Sequence, residues 1–198
     1  MKLNKNIMVV GNSVCLVPYN AHHVSKYHNW MQNKDLQFLT ASEPLSLAEE
    51  YEMQQSWSTD EDKLTFIAIS GNSIPQSKDE EVERMIGDVN LFFIFSPEEA
   101  EINIMLAETK HRRGGYGSEV LNLMMNYAKN NLPISKFSAK ITNSNLASMK
   151  FFERNGFDKI SVSEVFEETT YELPCDKKEG IVLNMIPYPF SESASIGS

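Results

Sequence analysis

Apolar residues recur along this chain with two different periods, and each change of period marks an element. Ile102, Ile104 and Leu106 alternate with Glu101, Asn103 and Met105, the period of two that a half-buried strand requires. Beyond Gly117 the spacing lengthens. Val120, Leu121, Met124, Tyr127 and Ala128 share one face of a helix expected to run to about Asn131. Residues 7–18 read as one strand, or as two short ones turning at Gly11-Asn12. Asn20 then opens a helix to about Asn33, striped by Val24, Tyr27, Trp30 and Met31. Residues 36–44 show no period. Ser46 and Glu49 have capping-box spacing at the start of a helix to about Trp57.

Strands are expected at 63–70 and 85–95, separated by residues 71–83, whose Pro, Ser, Asn and Lys-Asp-Glu-Glu content predicts a solvated, mobile loop. Pro97-Glu98-Glu99 turns the second of these into the 101–107 strand as an antiparallel hairpin. A strand at 134–141 precedes a helix over 143–155, with Met149, Phe152 and Leu146 facing inward and Gly156 as C-cap. Strands at 157–165, 170–173 and 181–186 follow, the last two as a C-terminal hairpin. The serine-rich residues 187–198 should form a disordered tail. This order predicts a single α/β (α+β) domain over residues 1–186, a mixed sheet with helices on both faces.

Composition narrows the function classes. With 41% hydrophobic residues the chain can bury a sizeable core, and its net charge of −9 offers no sequence-wide footprint for nucleic acid. No run of about 18 apolar residues predicts a membrane span. The opening eleven residues hold too short an apolar run for a secretory signal. The cytoplasm, with the nucleus as a further compartment, is the expected location. Cys15 and Cys175 lack metal-ligand spacing and read as isolated thiols. His22, His23 and His28 show neither the three- nor the four-residue spacing of a helical zinc pair.

One stretch carries candidate chemistry against this acidic background. Lys110, His111, Arg112 and Arg113 lead into Gly114, Gly115, Tyr116 and Gly117, between the alternating strand and the helix. Outward-pointing amides and the dipole at a helix start favour an anion, and missing Cβ atoms let phosphate approach the backbone. Arg112, Gly115 and Gly117 spell R-x-x-G-x-G. No G-K-[S/T] follows, so this is not a P-loop, and without a third glycine it is not a dinucleotide fingerprint. The competing reading is a glycine turn with incidental surface charge.

A second motif supports the first reading. Asn145, Ser148, Phe151, Phe152, Gly156 and Phe157 fit N-x-x-[A/S]-x-x-[F/L]-[Y/F]-x-x-x-G-F. Both motifs, in this order and each between a strand and a helix, resemble the GCN5-related N-acetyltransferase (GNAT) superfamily. Residues 17–20, 23–31, 39–45, 50–57 and 87–92 are further similar to its N-acetyltransferase 9-like branch. That resemblance implies a mostly antiparallel sheet flanked by helices and splayed at the cofactor site, with acetyl-CoA as cosubstrate and no metal. It implies that the backbone of Met105, Leu106 and Ala107 grips the pantetheine arm. The loop from Arg112 and Arg113 through Gly114, Gly115, Tyr116 and Gly117 would hold the pyrophosphate, and Asn145 would lie near the pantetheine or the leaving CoA.

The implied chemistry is direct attack of a protein or peptide amine, N-terminal or lysine, on the thioester. A base must take one proton from that amine. Glu101 stands where superfamily histone acetyltransferases place their glutamate, four residues before the pantetheine-contacting backbone; Glu108 is a second candidate. Many members carry a tyrosine as general acid where this chain has Phe152. A thiol of pKa about 8.5 leaves tolerably without that acid. The departure keeps open an acetyl-CoA-binding scaffold, and a small-amine acetyltransferase is the other alternative.

Overall fold

The computed structural model describes residues 3–93, 96 and 98–191. Among these, nine strands form one sheet: β1 (Ile7–Val10), β2 (Val14–Pro18), β3 (Lys63–Ser70), β4 (Met85–Phe92), β5 (Glu99–Leu106), β6 (Lys136–Thr142), β7 (Asp158–Ser163), β8 (Glu168–Pro174) and β9 (Asn184–Pro187). Their spatial order is β7-β8-β6-β5-β4-β3-β2-β1-β9. Every pairing is antiparallel except β5 with β6.

Six helices cover the two faces: α1 (Val24–Met31), α2 (Lys34–Leu39), α3 (Leu47–Thr59), α4 (Lys78–Arg84), α5 (Tyr116–Asn131) and α6 (Leu146–Arg154). The predicted stripes are the buried ones. Val24, Tyr27, Trp30 and Met31 of α1 enter one core, and Val120, Leu121, Met124, Tyr127 and Ala128 of α5 enter the other. The capping box is present, with Ser46 N–H donating to Glu49 Oε2 at 2.8 Å and Glu49 N–H to Ser46 Oγ at 3.3 Å.

Caps also explain two differences from the expected elements. Asn33 Oδ1 accepts from the N–H groups of Asp35 and Leu36 at 2.8 and 3.3 Å, which starts α2 where the sequence showed no period. Ser77 Oγ accepts from Glu80 N–H at 3.1 Å. That cap, with acids in the first turn, folds residues 78–84 into α4, so the loop expected over 71–83 ends at residue 77. Leu146 is exposed rather than inward. It lies six residues before buried Phe152, a rotation of about 120° away on a helix of 3.6 residues per turn.

The C-terminal hairpin does not form. Both edges of β8 are taken, by β6 and β7, so residues 184–187 pair instead with β1 at the far end of the sheet. Pro187 belongs to this strand and Tyr188 is buried, so the tail expected from 187 begins inside a packed segment. Residues 192–198 of that tail, Pro97 of the expected turn, and Ile94 and Phe95 of the expected 85–95 strand lie outside the described residues.

Two irregularities position the site. The ladder between β5 and β6 holds only three pairs, Glu99↔Lys136, Ala100↔Phe137 and Glu101↔Ser138. Past Glu101 the two strands diverge, and the β6-facing edge of Ile102–Leu106 has no strand partner. In β4 the register with β3 passes from Ala68↔Gly87 to Ile69↔Met85, so Ile86 is the extra residue of a bulge. At Gly87 a Cβ would lie 1.9 Å from the Met105 carbonyl oxygen. Only glycine lets the bulge pass β5 there.

Candidate active site

The opening between β5 and β6 leads to a cavity of about 490 Å³. Its floor is one face of three adjacent strands, aligned by register. Lys63 of β3 stands opposite Phe92 of β4, which stands opposite Glu101 of β5; Thr65, Asn90 and Asn103 form the next row, and Asp88 and Met105 the next. Tyr27, Trp57 and Thr40–Ser42 wall one side, while Lys140, Asn145, Ser148 and Phe152 wall the other.

The structure brings Glu101, Met105 and Asn145 to one cavity. Glu101 is not alone there. Its Oε2 lies 3.1 Å from Lys140 Nζ, and the carboxylate is mostly buried. Glu108 lies outside the cavity lining, accepting from Trp30 Nε1 at 2.9 Å. Asn145 caps α6, its Oδ1 accepting from Ser148 N–H at 3.1 Å while its Nδ2 donates to Leu39 O at 3.4 Å. It ties α6 to the end of α2. Phe152 is buried edge-on against Phe151 and Phe157, and Ser148, one turn earlier, presents the hydroxyl on that wall.

The glycine loop is exposed from Arg112 to Gly115. Gly115, at φ 86°, is the N-cap of α5 and supplies no side-chain cap, so the first-turn amides keep their donors for an anion. Arg113 also sits at positive φ, 63°. Gly117 lets the helix start approach α6 and β5, since a Cβ there would meet the Phe151 ring at 3.1 Å and Leu106 Cδ1 at 3.3 Å. The Tyr116 ring lies edge-on to His111. Arg112 turns back, Nε donating to Leu106 O at 2.8 Å and Nη2 to Ala107 O at 3.4 Å. Ala107 N–H donates to Ile86 O at 2.9 Å. Ala107 is thus tied into the bulge, and the Met105 carbonyl also faces β4 at Gly87, so of residues 105–107 only Leu106 turns its backbone groups to the open edge.

The sequence reading missed a polar network under the cavity. Asn90 Nδ2 donates to Asp88 Oδ2 at 2.6 Å, Tyr27 Oη to the same oxygen at 3.5 Å, and Thr65 Oγ1 to Asn90 Oδ1 at 2.6 Å. Asp88 Oδ1 is buried with no hydrogen-bond partner. Burial pushes the Asp88 carboxyl up to about 6 against the opposing Asn90 hydrogen bond and Lys63 charge. Lys63 is buried with Nζ 2.7 Å from the Trp57 ring centre and 4.5 Å from that of Phe92. Burial pushes it down to about 7, with Asp88 and Asp60 opposing. The available signal was Asp88 and Asn90 alternating within an otherwise apolar strand.

A second cluster lies elsewhere. Glu81 Oε1 is 2.8 Å from His22 Nε2 and 2.7 Å from His23 Nε2, and it accepts from Tyr188 Oη at 2.6 Å. These separations are those of hydrogen bonds. His23 Nδ1 accepts from Asn20 N–H at 3.0 Å, which leaves the proton of the neutral ring on Nε2. Burial pushes His23 down to about 4. Burial pushes Glu81 up, but the three hydrogen bonds outweigh it and hold the carboxyl near 2. The cluster is a clasp joining α4, the 3₁₀ turn Ala21–His23 and the segment after β9.

Comparison with known proteins agrees with this geometry. A family model described as acetyltransferase (GNAT) domain matches residues 13–158. An N-acetyltransferase 9-like protein of Nematostella vectensis is 43% identical over 199 residues, covering 98% of this chain and 100% of its own. Alpha/beta-tubulin-N-acetyltransferase 9 of Mus musculus is 44% identical over 182 residues, 90% of this chain and 76% of its own. Among solved structures, the ribosomal L7/L12 alpha-N-protein acetyltransferase RimL in complex with coenzyme A superposes with a TM-score of 0.71 at 17% identity. It covers 87% of this chain and 99% of its own, a likeness of fold.

Proposed function

The chain belongs to the GNAT family of N-acetyltransferases, and on that premise we propose that it moves the acetyl group of acetyl-CoA to a protein amine, with tubulin as the acceptor. The tubulin reading rests on the names of relatives from mouse, fly and human, 42–44% identical to this chain. The observation that carries the transferase reading is the continuity of the site. Exposed amides at the start of α5 lead along the open edge of β5 at Leu106 into a cavity walled by carboxylates and aromatic rings.

Each part has a physical role. Amides of residues 115–117 and the nearby Arg113 suit a pyrophosphate. The unpaired edge of β5 offers backbone donors and acceptors to an amide-bearing arm, as a strand edge does for any extended ligand. Glu101 draws the ammonium of the acceptor toward the thioester end, balanced by Lys140. Ser148 supplies the hydroxyl that Phe152 lacks.

The test incubates the protein with αβ-tubulin and acetyl-CoA and maps acetyl groups by mass spectrometry, separating α-amino from lysine products. Acetylated tubulin at stoichiometric levels is expected. Acetylation of a polyamine but not tubulin would move the acceptor to the small-amine class. The phenylalanine at 152 favours a second reading, a CoA-binding scaffold; CoA release at background with every amine tried would establish it.

A further inference from the structure

Deepening the transferase reading on which it rests, we propose that Asp88 is the proton acceptor for the incoming ammonium, with Asn90 and Tyr27 positioning its carboxylate. Asp88 faces the cavity from β4 directly across the ladder from Met105, whose position lines the same cavity. One strand spacing, about 5 Å, separates the two backbones. The bulge at Ile86–Gly87 sits immediately before it, and bulges aim side chains at active sites.

The carboxylate is held and half used. Asn90 Nδ2 and Tyr27 Oη both point at Oδ2. Thr65 takes the Asn90 oxygen, so the amide cannot flip without losing both bonds. Oδ1 is left buried and partnerless, a costly arrangement unless a donor arrives. An ammonium proton is such a donor. Glu101, by contrast, already spends an oxygen on Lys140.

The facing groups agree with this role. Lys63 approaches from β3, Tyr27 from α1, Tyr19 from the end of β2, and Glu50 of α3 stands behind the two tyrosines. Burial outweighs the Lys63 charge and leaves Asp88 about 6, close to the pH at which it would work. The step balances. One proton passes from the ammonium to Asp88 Oδ1, and the freed lone pair forms the N–C bond as the C–S bond breaks. The second amine proton goes to the departing sulfur, and Asp88 returns its proton to water through the cavity.

The experiment compares wild type, Asp88→Asn, Glu101→Gln and Tyr27→Phe. Transfer to αβ-tubulin is measured from pH 5 to 9, and acetyl-CoA affinity by calorimetry. Asp88→Asn is expected to lower kcat by about 100-fold or more, to abolish the acid limb of the profile, and to change acetyl-CoA affinity less than twofold. Tyr27→Phe removes a hydrogen bond that favours the carboxylate and should move that limb to higher pH. Glu101→Gln should keep the limb. A limb that survives in Asp88→Asn, or vanishes in Glu101→Gln, overturns the proposal.

Carbon-13 NMR titration of the aspartate carboxyls needs no acceptor. A resonance titrating near 6 and missing from Asp88→Asn is expected, and its absence overturns the Asp88 role whatever the activity. If that resonance is present but no amine is acetylated, the transferase reading falls while the buried carboxyl stands.

Discussion

Replacing Gly87 by alanine tests the geometry that holds β5 against β4. The new methyl would stand 1.9 Å from the Met105 carbonyl oxygen and 2.9 Å from its carbonyl carbon. A comfortable carbon–oxygen contact is about 3.3 Å, so β4 and β5 must separate by roughly 1.4 Å at this point. The obstacle is backbone, which no rotamer change relieves. Ile86 O accepts from Ala107 N–H at 2.9 Å and from Glu108 N–H at 3.2 Å, and both bonds stretch with the separation. Overpacking of about 1–3 kcal/mol and up to two weakened hydrogen bonds at about 1 kcal/mol each oppose a gain of about 0.4–1 kcal/mol from a stiffer unfolded chain. The net is a loss of about 3 kcal/mol.

Urea unfolding followed by circular dichroism measures that loss, and calorimetry on the folded variant should show acetyl-CoA binding at least tenfold weaker, because Met105 is displaced. Gly115→Ala is the contrast. Nothing lies within 4 Å of its Cβ, and its cost is the positive φ alone, about 1–2 kcal/mol. Gly87→Ala within 1 kcal/mol of wild type, with unchanged affinity, would refute the reasoning.

Other consequences follow from the buried charges. The folded carboxyl of Asp88 titrates near 6 against 3.8 unfolded, so the fold prefers it protonated. Stability present below 3.8 is lost as pH rises through about 6. Asp88→Asn should therefore be about 3 kcal/mol more stable than wild type at pH 7.5 and equal to it below pH 4, by urea unfolding; equal stability at both pH values would contradict the burial argument. In the clasp, both His23 and Glu81 are held below their ordinary values. Their contribution is lost as pH falls, first from 6.5 toward 4 as unfolded His23 gains its proton, then from 4.5 toward 2 for Glu81. Thermal melts should trace that decline, and Tyr188→Phe should cost about 2 kcal/mol at pH 7 by removing one hydrogen bond to a buried carboxylate. A variant as stable as wild type would deny the clasp its role. Arg112→Glu should weaken acetyl-CoA binding at least tenfold by calorimetry, since it removes the bonds that hold the loop against the end of β5 and reverses a charge beside it. An unchanged affinity would sever the loop from the cofactor.

Local pattern was enough for the elements with one buried face. The α1 and α5 stripes, the capping box at Ser46 and the β4–β5 hairpin follow from periods and caps that neighbouring residues impose on one another. The turn at Gly115 was legible for the same reason, because its positive φ is set locally, whereas the need for glycine at 117 comes from Phe151 of α6. Short helices were not. α2 and α4 exist because single caps at Asn33 and Ser77 meet surfaces supplied from far along the chain, such as the Glu81 pocket of His22, His23 and Tyr188.

Sequence alone determined that a strand carrying Glu101, Asn103 and Met105 runs into a glycine loop at the start of a helix. It left open which carboxylate can hold a proton, because that depends on what lies across the sheet. Only the tertiary structure placed Lys140 against Glu101. It likewise set Asp88 in a buried row with Asn90, Thr65 and Tyr27, and left one oxygen empty. It also sent β9 to β1, since the edges of β8 were already filled. The division is physical: turn and helix conformations answer to forces within a few residues, whereas strand partners, burial and the protonation of a carboxylate answer to groups that the chain brings together from a distance.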